Sequence, residues 1–406
     1  MATDAFGRLR ISNTYTLFDY YPPNSNSLHV SADAIDSDVW VTTSTGTSTF
    51  IGGNSMVTLT CNSNGDKITR ETKLPMEYQP GKSRLIFMSS VPLSRVNDGT
   101  ETFEYNMGIF SVDDITKVPY EGHYLKIDGT NIYICCTYNS VETSVVQSSW
   151  NIDTFDGNGP SGETLTINSM LNSLLFVLDQ EWLGVGRVRI GFNIGGITYY
   201  AHQFIPIVDY PYTTTPRLPL VYQLSTTTIN SSINSKQICC TCISEGGYIP
   251  SGKKNSIFTE TTGSGTTPII LTGLKLKSIY KTGIIKILRL DVSQTLNTLT
   301  HIQLQLHSST NFTYGTTSIT SSWTNKNNST IQFLEGDGTN DTLTTDGFII
   351  GDYIIEQKAS IHISSDIYET LLTRNQITKY DTLYVIAKDN INTNDFKVSL
   401  QFIETY

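Results

Sequence analysis

The sequence predicts an all-β fold of antiparallel β-sandwich or jelly-roll-like modules, arranged as two β domains behind an extended N-terminal arm. Three observations predict it. Stretches that can be assigned to an element have a hydrophobic period of two rather than 3.6. Dipeptides that suit tight turns recur between them. Only 16% of the residues are charged, against about 25% in an average protein. Hydroxyl-bearing and aromatic residues take their place, and β-branched and aromatic side chains pack well on a pleated surface.

The period is clearest from His301 to His307, where Ile302, Leu304 and Leu306 alternate with polar residues, and from Phe396 to Phe402, where Phe396, Val398, Leu400 and Phe402 do the same. Asp98-Gly99, Asp128-Gly129, Asp337-Gly338 and Gly195-Gly196 supply residues that accept positive φ, as hairpin turns require. Helical signals are confined to Asp366 to Arg374 and Asp113 to Val118, both read as connectors. The two histidines that end the 301–307 strand are expected to face solvent.

A chain of 406 residues fits two or three domains at roughly 100 to 200 residues each. Residues 1–30 lack steady alternation and contain Pro22-Pro23, so they read as an arm. Residues 31–220 form the first expected β domain. Residues 221–237 carry Ser225-Thr226-Thr227-Thr228 and Asn230-Ser231-Ser232 and read as a linker. Residues 238–406 form the second, interrupted by a loop at Thr261 to Thr267. No repeat of 20 to 50 residues is present, which disfavours a solenoid or propeller.

Charge and hydropathy exclude further classes. The formal net charge is −10, so the broad positive surface that neutralises nucleic-acid phosphates is missing and no nucleic-acid partner is expected. The longest obvious apolar run, Leu174 to Leu178, is far short of the roughly 18 to 20 residues of a membrane span. The first residues lack the pattern of a signal peptide, so synthesis in a cytosol-like compartment is expected.

No catalytic, cofactor or metal residues are expected, and the chain is read as a non-enzyme. Gly184-Val185-Gly186 followed by Gly191 has the wrong spacing for a dinucleotide loop and opens no helix. The histidines, His29, His123, His202, His301, His307 and His362, are scattered. Cys61, Cys135, Cys136, Cys239, Cys240 and Cys242 lack paired C-x-x-C spacing and are expected as small apolar residues in strands. Asp153, Asp156 and Glu163 lie in a glycine-containing loop that could hold calcium on oxygen ligands. A plain surface loop is the simpler reading.

One hairpin stands out. Counting outward from Gly195-Gly196 pairs Ile194 with Ile197, Phe192 with Tyr199, Ile190 with Ala201 and Val188 with Gln203, an apolar face expected in the core. The opposite face pairs Asn193 with Thr198, Gly191 with Tyr200, Arg189 with His202 and Arg187 with Phe204. Arg187, Arg189, Tyr200 and His202 therefore form a candidate contact surface for a carboxylate, a sugar or a partner chain. The bland alternative is a solvated outer face with arginine stems lying over rings.

Six stretches stand in consistent order: Ala5 to Ser12, Tyr78 to Ser83, Trp150 to Asp153, Gly157 to Gly162, Glu181 to Arg189 with the hairpin behind it, and Thr214 to Pro219. Together they resemble a poorly characterised family of virion structural proteins from tailed phages and large DNA viruses. The resemblance covers about residues 1–220 and carries over no catalytic residue. It implies a structural subunit of a virus particle, whether capsid-associated, spike, fibre or tail, with other virion proteins and copies of itself as partners. Phe6, Arg8, Leu9, Arg10 and Ile11 are the expected assembly arm, offering apolar and basic contacts to an acidic neighbour. The alternative function is a lectin-like module that binds a glycan or host receptor on the virion surface. A glycan-degrading enzyme would need two carboxylates roughly 5 to 10 Å apart in a groove, which sequence cannot place.

Overall fold

A computed structural model describes residues 14–22, 39–205 except 74, 98, 114 and 182, 210–246, 252–265, 268–277, 284–307 except 297, 317–337 except 320, 341–362 except 344–346 and 357, and 382–405 except 389–390. Strands account for every long element, with short 3-10 turns at Gln147–Ser149 and Ile167–Leu171 and no α-helix among the described residues. The chain divides into two compact units, Met1–Tyr248 and Ile249–Tyr406.

Unit 1 contains β1 (Tyr15–Tyr20), β2 (Trp40–Thr45), β3 (Thr49–Gly53), β4 (Met56–Cys61), β5 (Lys67–Thr72), β6 (Arg84–Val91), β7 (Thr102–Val112), β8 (Pro119–Ile127), β9 (Ile132–Tyr138), β10 (Val141–Val146), β11 (Leu174–Gln180), β12 (Val188–Ile194), β13 (Ile197–Phe204), β14 (Leu220–Thr228) and β15 (Ile233–Ser244). One sheet runs β13-β12-β11-β6-β15-β4-β3 with β1 also on β15, and the other runs β10-β9-β8-β7-β14-β5-β2. All pairings are antiparallel, and period-two alternation gives each sheet an apolar inner face. Ile86, Met88, Phe176, Leu178 and Phe192 from the first sheet are fully buried, as are Met107, Ile109, Leu125, Tyr222 and Leu224 from the second. The sheets are stitched together as well as packed. Tyr222 Oη, on β14, donates to the Cys239 carbonyl of β15 at 3.1 Å, and Arg70 Nε of β5 donates to Gln237 Oε1 of β15 at 2.5 Å.

Unit 2 contains β16 (Lys253–Gly265), β17 (Ile269–Leu276), β18 (Ile284–Gln294), β19 (Thr300–His307), β20 (Thr317–Ser318), β21 (Thr324–Asn325), β22 (Ile331–Glu335), β23 (Thr342–Leu343), β24 (Phe348–Ile355), β25 (Lys358–His362), β26 (Thr382–Lys388) and β27 (Ile391–Thr405). Its sheets are β16-β27-β18-β25 and β20-β23-β17-β26-β19-β24, the second extended by β22 on β17 and β21 on β22. The two alternations read from the sequence meet in one core, where Ile302, Leu304 and Leu306 pack in the same cluster as Phe396, Val398, Leu400 and Phe402.

Several expected boundaries change. Residues 221–237, expected as a linker, contribute β14 and the start of β15, each central in its sheet. The reason lies in the alternation: Leu220, Tyr222 and Leu224 are fully buried, Ser225 to Thr228 continue β14, and only residues 229–232 form the turn between the strands. Tyr15–Tyr20, placed in the arm, is a strand paired with β15. Phe6, Arg8, Leu9, Arg10 and Ile11 lie outside the described residues. Residues 261–265, expected in a loop, continue β16 against β27. Asp113 to Val118 is a turn rather than a helix, and 366–374 lies outside the described residues. His307 is buried at 2% exposure, with its ring 5.1 Å from that of Tyr384, and so does not face solvent.

Candidate functional site

The Gly195-Gly196 hairpin forms as expected near its turn, with φ of +60° and +86° at the two glycines. Pairing follows the expected register from Ile194/Ile197 back to Gly191/Tyr200, then shifts across a bulge so that Ile190 faces His202, Arg189 faces Gln203 and Val188 faces Phe204. Ala201 is the extra residue. Two local features hold the bulge. A Cβ on Gly191 would lie 2.0 Å from the Tyr199 carbonyl oxygen, so only glycine permits this approach. The Trp150–Asp153 stretch occupies the freed edge, with the Ile152 and Asp153 amides donating to the Ala201 carbonyl at 3.1 and 3.0 Å and Asn151 exchanging two hydrogen bonds with Gln203.

The bulge divides the four residues of the expected contact surface. Arg189 lies over the Tyr200 ring at 4.3 Å and pairs with Asp179, which also accepts from Tyr200 Oη at 3.0 Å. Arg187 pairs with Glu181 at 2.7 Å. Both guanidinium groups thus meet carboxylates of the same chain. His202 sits apart, buried at 6% exposure, and its Nδ1 accepts from the Asn151 amide at 3.2 Å. Burial pushes its pKa down to about 4, which keeps the ring neutral.

A cleft of about 540 Å³ opens between the edges of the two sheets, where β8, β9 and β10 face β12 and β13. His123 and Cys136 are cross-strand partners on its floor. Tyr138 and Tyr210 stack at 4.9 Å as one wall, and Val188, Phe204 and Ile205 make the other. Thr143 and Asn139 border the mouth, and Tyr212 lies edge-on to His123 at 5.1 Å. His123 is fully buried, and neither ring nitrogen has a hydrogen-bond partner. Burial, and secondarily the Arg84 guanidinium, push its pKa down to about 3. The ring is therefore neutral and closed off from solvent beneath the cleft floor, packed against Tyr212 and Phe204. Burial pushes the Cys136 thiol up to about 12, so it stays protonated and a poor nucleophile.

Buried Arg84 organises the loops around this cleft. Its guanidinium donates to the Met76, Glu77 and Pro216 carbonyls at 3.0, 3.1 and 2.5 Å and to Gln180 Oε1, and it lies over the Tyr78 ring at 5.4 Å. The neighbouring loop is tied down twice more. The Tyr212 amide donates to the Gly184 carbonyl at 3.1 Å, and the Glu121 carboxylate accepts from the Thr214 amide and hydroxyl at 2.7 and 2.8 Å. Burial raises the Glu121 pKa although both Thr214 bonds pull it down.

No group of three or more metal-ligating side chains occurs among the described residues. In the acidic loop considered for calcium, Asp153 is taken up by the Phe155 and Ser161 amides, each at 2.8 Å, and Asp156 by the Asn158 amide at 2.8 Å. These carboxylates brace the loop itself. All six cysteines are free thiols in strands, although Cys239 is exposed. Sequence reasoning missed His123, Tyr138, Tyr210 and Tyr212 as a group, because they come from three separate segments that only the sandwich edges bring together.

The fold and cleft together define an antiparallel β-sandwich with an aromatic-walled site at the sheet edges. No family model matches the sequence, and no curated protein does. Among solved structures the chain is similar to the Emp46p carbohydrate recognition domain, at 10% identity over 57% of this chain and 98% of that one, with a TM-score of 0.36. It is similar to peanut lectin at 9% identity over 57% and 98% of the two chains, TM-score 0.34, and to Bacillus licheniformis β-glucanase at 9% over 55% and 97%, TM-score 0.34. Likeness this distant does not extend to function.

Proposed function

We propose that unit 1 is a glycan-recognition module. The observation that carries the reading is the Tyr138–Tyr210 stack, which walls a cleft also lined by the polar side chains of Asn139 and Thr143. The C–H face of a pyranose packs on aromatic rings, and its hydroxyls can exchange hydrogen bonds with an amide and a hydroxyl. The described lining contains no Asp, Glu, Lys or Arg, which favours recognition over carboxylate-driven hydrolysis. A glycan array probed with the full chain tests this. Selective binding is expected, and Tyr210→Ala should abolish it; an array with no selective signal would overturn the reading.

The setting we propose for the module is a virus particle, supported by the six stretches of resemblance. Assembly would run through the arm, where Phe6, Leu9 and Ile11 offer apolar contacts and Arg8 and Arg10 offer charge to an acidic neighbour. Deleting residues 2–12 should leave a soluble, folded protein that fails to incorporate into particles, as counted by mass spectrometry of purified virions. Normal incorporation would refute the arm's role, and absence of the full chain from virions would refute the setting.

A further inference from the structure

We infer that the sugar taken by this cleft is neutral and carries a methyl group, as 6-deoxy and N-acetylated sugars do. The inference rests on the glycan reading above and adds to it the chemical class of ligand. The two walls differ in kind. On the β8–β10 side Thr143 and Asn139 offer polar atoms beside Val141 and the Tyr138 ring. On the β12–β13 side the side chains of Val188, Phe204 and Ile205 present carbon only. That apolar side reaches the mouth at Ile205, which is 59% exposed.

A pyranose has hydroxyls around its whole rim. Seated with some of them against Asn139 and Thr143, an unsubstituted hexose would turn others toward Phe204 and Ile205, where they would lose water and gain no partner. A methyl group at that position removes the conflict and buries apolar surface instead. The described lining also holds no ionised side chain to meet a charged sugar. The buried charges that brace the neighbouring loops are already engaged, Arg84 by carbonyl oxygens and Glu121 by Thr214.

Saturation-transfer NMR and titration with the full chain provide the test. The panel comprises glucose, galactose and mannose as parents, rhamnose and fucose as 6-deoxy sugars, N-acetylglucosamine and N-acetylgalactosamine, and glucuronic acid. Burying one methyl group is worth about a fourfold gain in affinity, so at least one methyl-bearing class should bind about fourfold or more tighter than its parents. Which class does so separates the 6-deoxy from the acetamido source. Glucuronic acid should bind more weakly than glucose. Ile205→Asn, at an exposed position of the apolar wall, should erase the preference, bringing the ratio of methyl-bearing to parent affinity down to about one. Parents binding as tightly as methyl-bearing sugars, or glucuronic acid binding best, would overturn the inference and leave the glycan reading standing. Silence across the panel and the array would overturn both.

Discussion

Replacing His123 by Leu should stabilise the protein, an unusual effect for a fully buried residue. Both ring nitrogens are buried without partners, and a buried polar group left unsatisfied costs about 1–3 kcal/mol. Leu is of similar volume and leaves nothing unpaired, so the variant should gain about 1–2 kcal/mol at pH 7. For a unit of this size that is a rise of roughly 2–8 °C in Tm. The pH dependence gives a second readout. The folded-state pKa is pushed from 6.5 to about 3, so between these values the unfolded chain takes up a proton that the folded ring refuses. The wild type therefore loses stability as pH falls below about 6.5, at up to about 1.4 kcal/mol per unit from this residue. His202, depressed to about 4, contributes a similar loss in both proteins. Urea unfolding of the full chain from pH 7 to pH 4.5 should show a shallower decline in His123→Leu by the equivalent of one proton. An unchanged slope, or a variant more than about 1 kcal/mol less stable at pH 7, would refute the placement of His123.

Phe192→Ala should cost about 3–5 kcal/mol, since that ring is fully buried and meets Phe155, Trp150 and Phe176 at 5.6, 6.0 and 6.4 Å. Arg189→Ala should cost about 1–3 kcal/mol, more than a surface change, because it strands Asp179, whose side chain is 3% exposed; thermal melts showing Arg189→Ala as the costlier variant would reverse the two faces. Replacing Gly195 and Gly196 together by Val should cost about 2–4 kcal/mol from positive φ alone, measured by urea titration, with no loss indicating a different turn. A fragment of residues 1–248 should fold with a cooperative melt and elute as a compact species, whereas residues 1–220, which lack nearly all of β14 and all of β15, should not. Equal behaviour of the two fragments would put the unit boundary elsewhere.

The fold class was legible because a period of two survives wherever one face of a strand is buried, and Phe396 to Phe402 displays it without interruption. The hairpin was half legible. Gly195-Gly196 fixes pairing outward to Gly191/Tyr200, but the bulge at Ala201 depends on Trp150–Asp153 bonding the edge of β13, a contact about fifty residues away in sequence. The linker misreading has the same origin. Asn230 to Ser232 lie in a turn, but Ser225 to Thr228 end β14, and composition distinguishes neither a polar strand end from a linker nor a turn inside a sandwich from a connection between units. The cleft carried no signal at all: a histidine in β8, a tyrosine in β9 and two tyrosines near residue 211 look unremarkable until two sheet edges converge.

The motif stretches that carry the resemblance turn out to be occupied with one another. Tyr78 Oη accepts from the Leu183 amide at 3.1 Å, and Arg84, next in sequence after Ser83, joins the Tyr78 ring to the Pro216 carbonyl. Three of the six stretches thus form one knot around a buried cation, which meets carbonyl oxygens instead of water. The cleft lining divides between two sources: Val188 and Phe204 belong to the Glu181 stretch and its hairpin, whereas Tyr138, Tyr210 and Tyr212 fall outside the six stretches. Proteins sharing these stretches would therefore share the frame of the cleft and its apolar wall, while residues outside the motifs set the aromatic wall. A motif can in this way report a common scaffold and leave half of a ligand surface unspecified, because the tyrosines that face the cleft are held by the knot without being part of it.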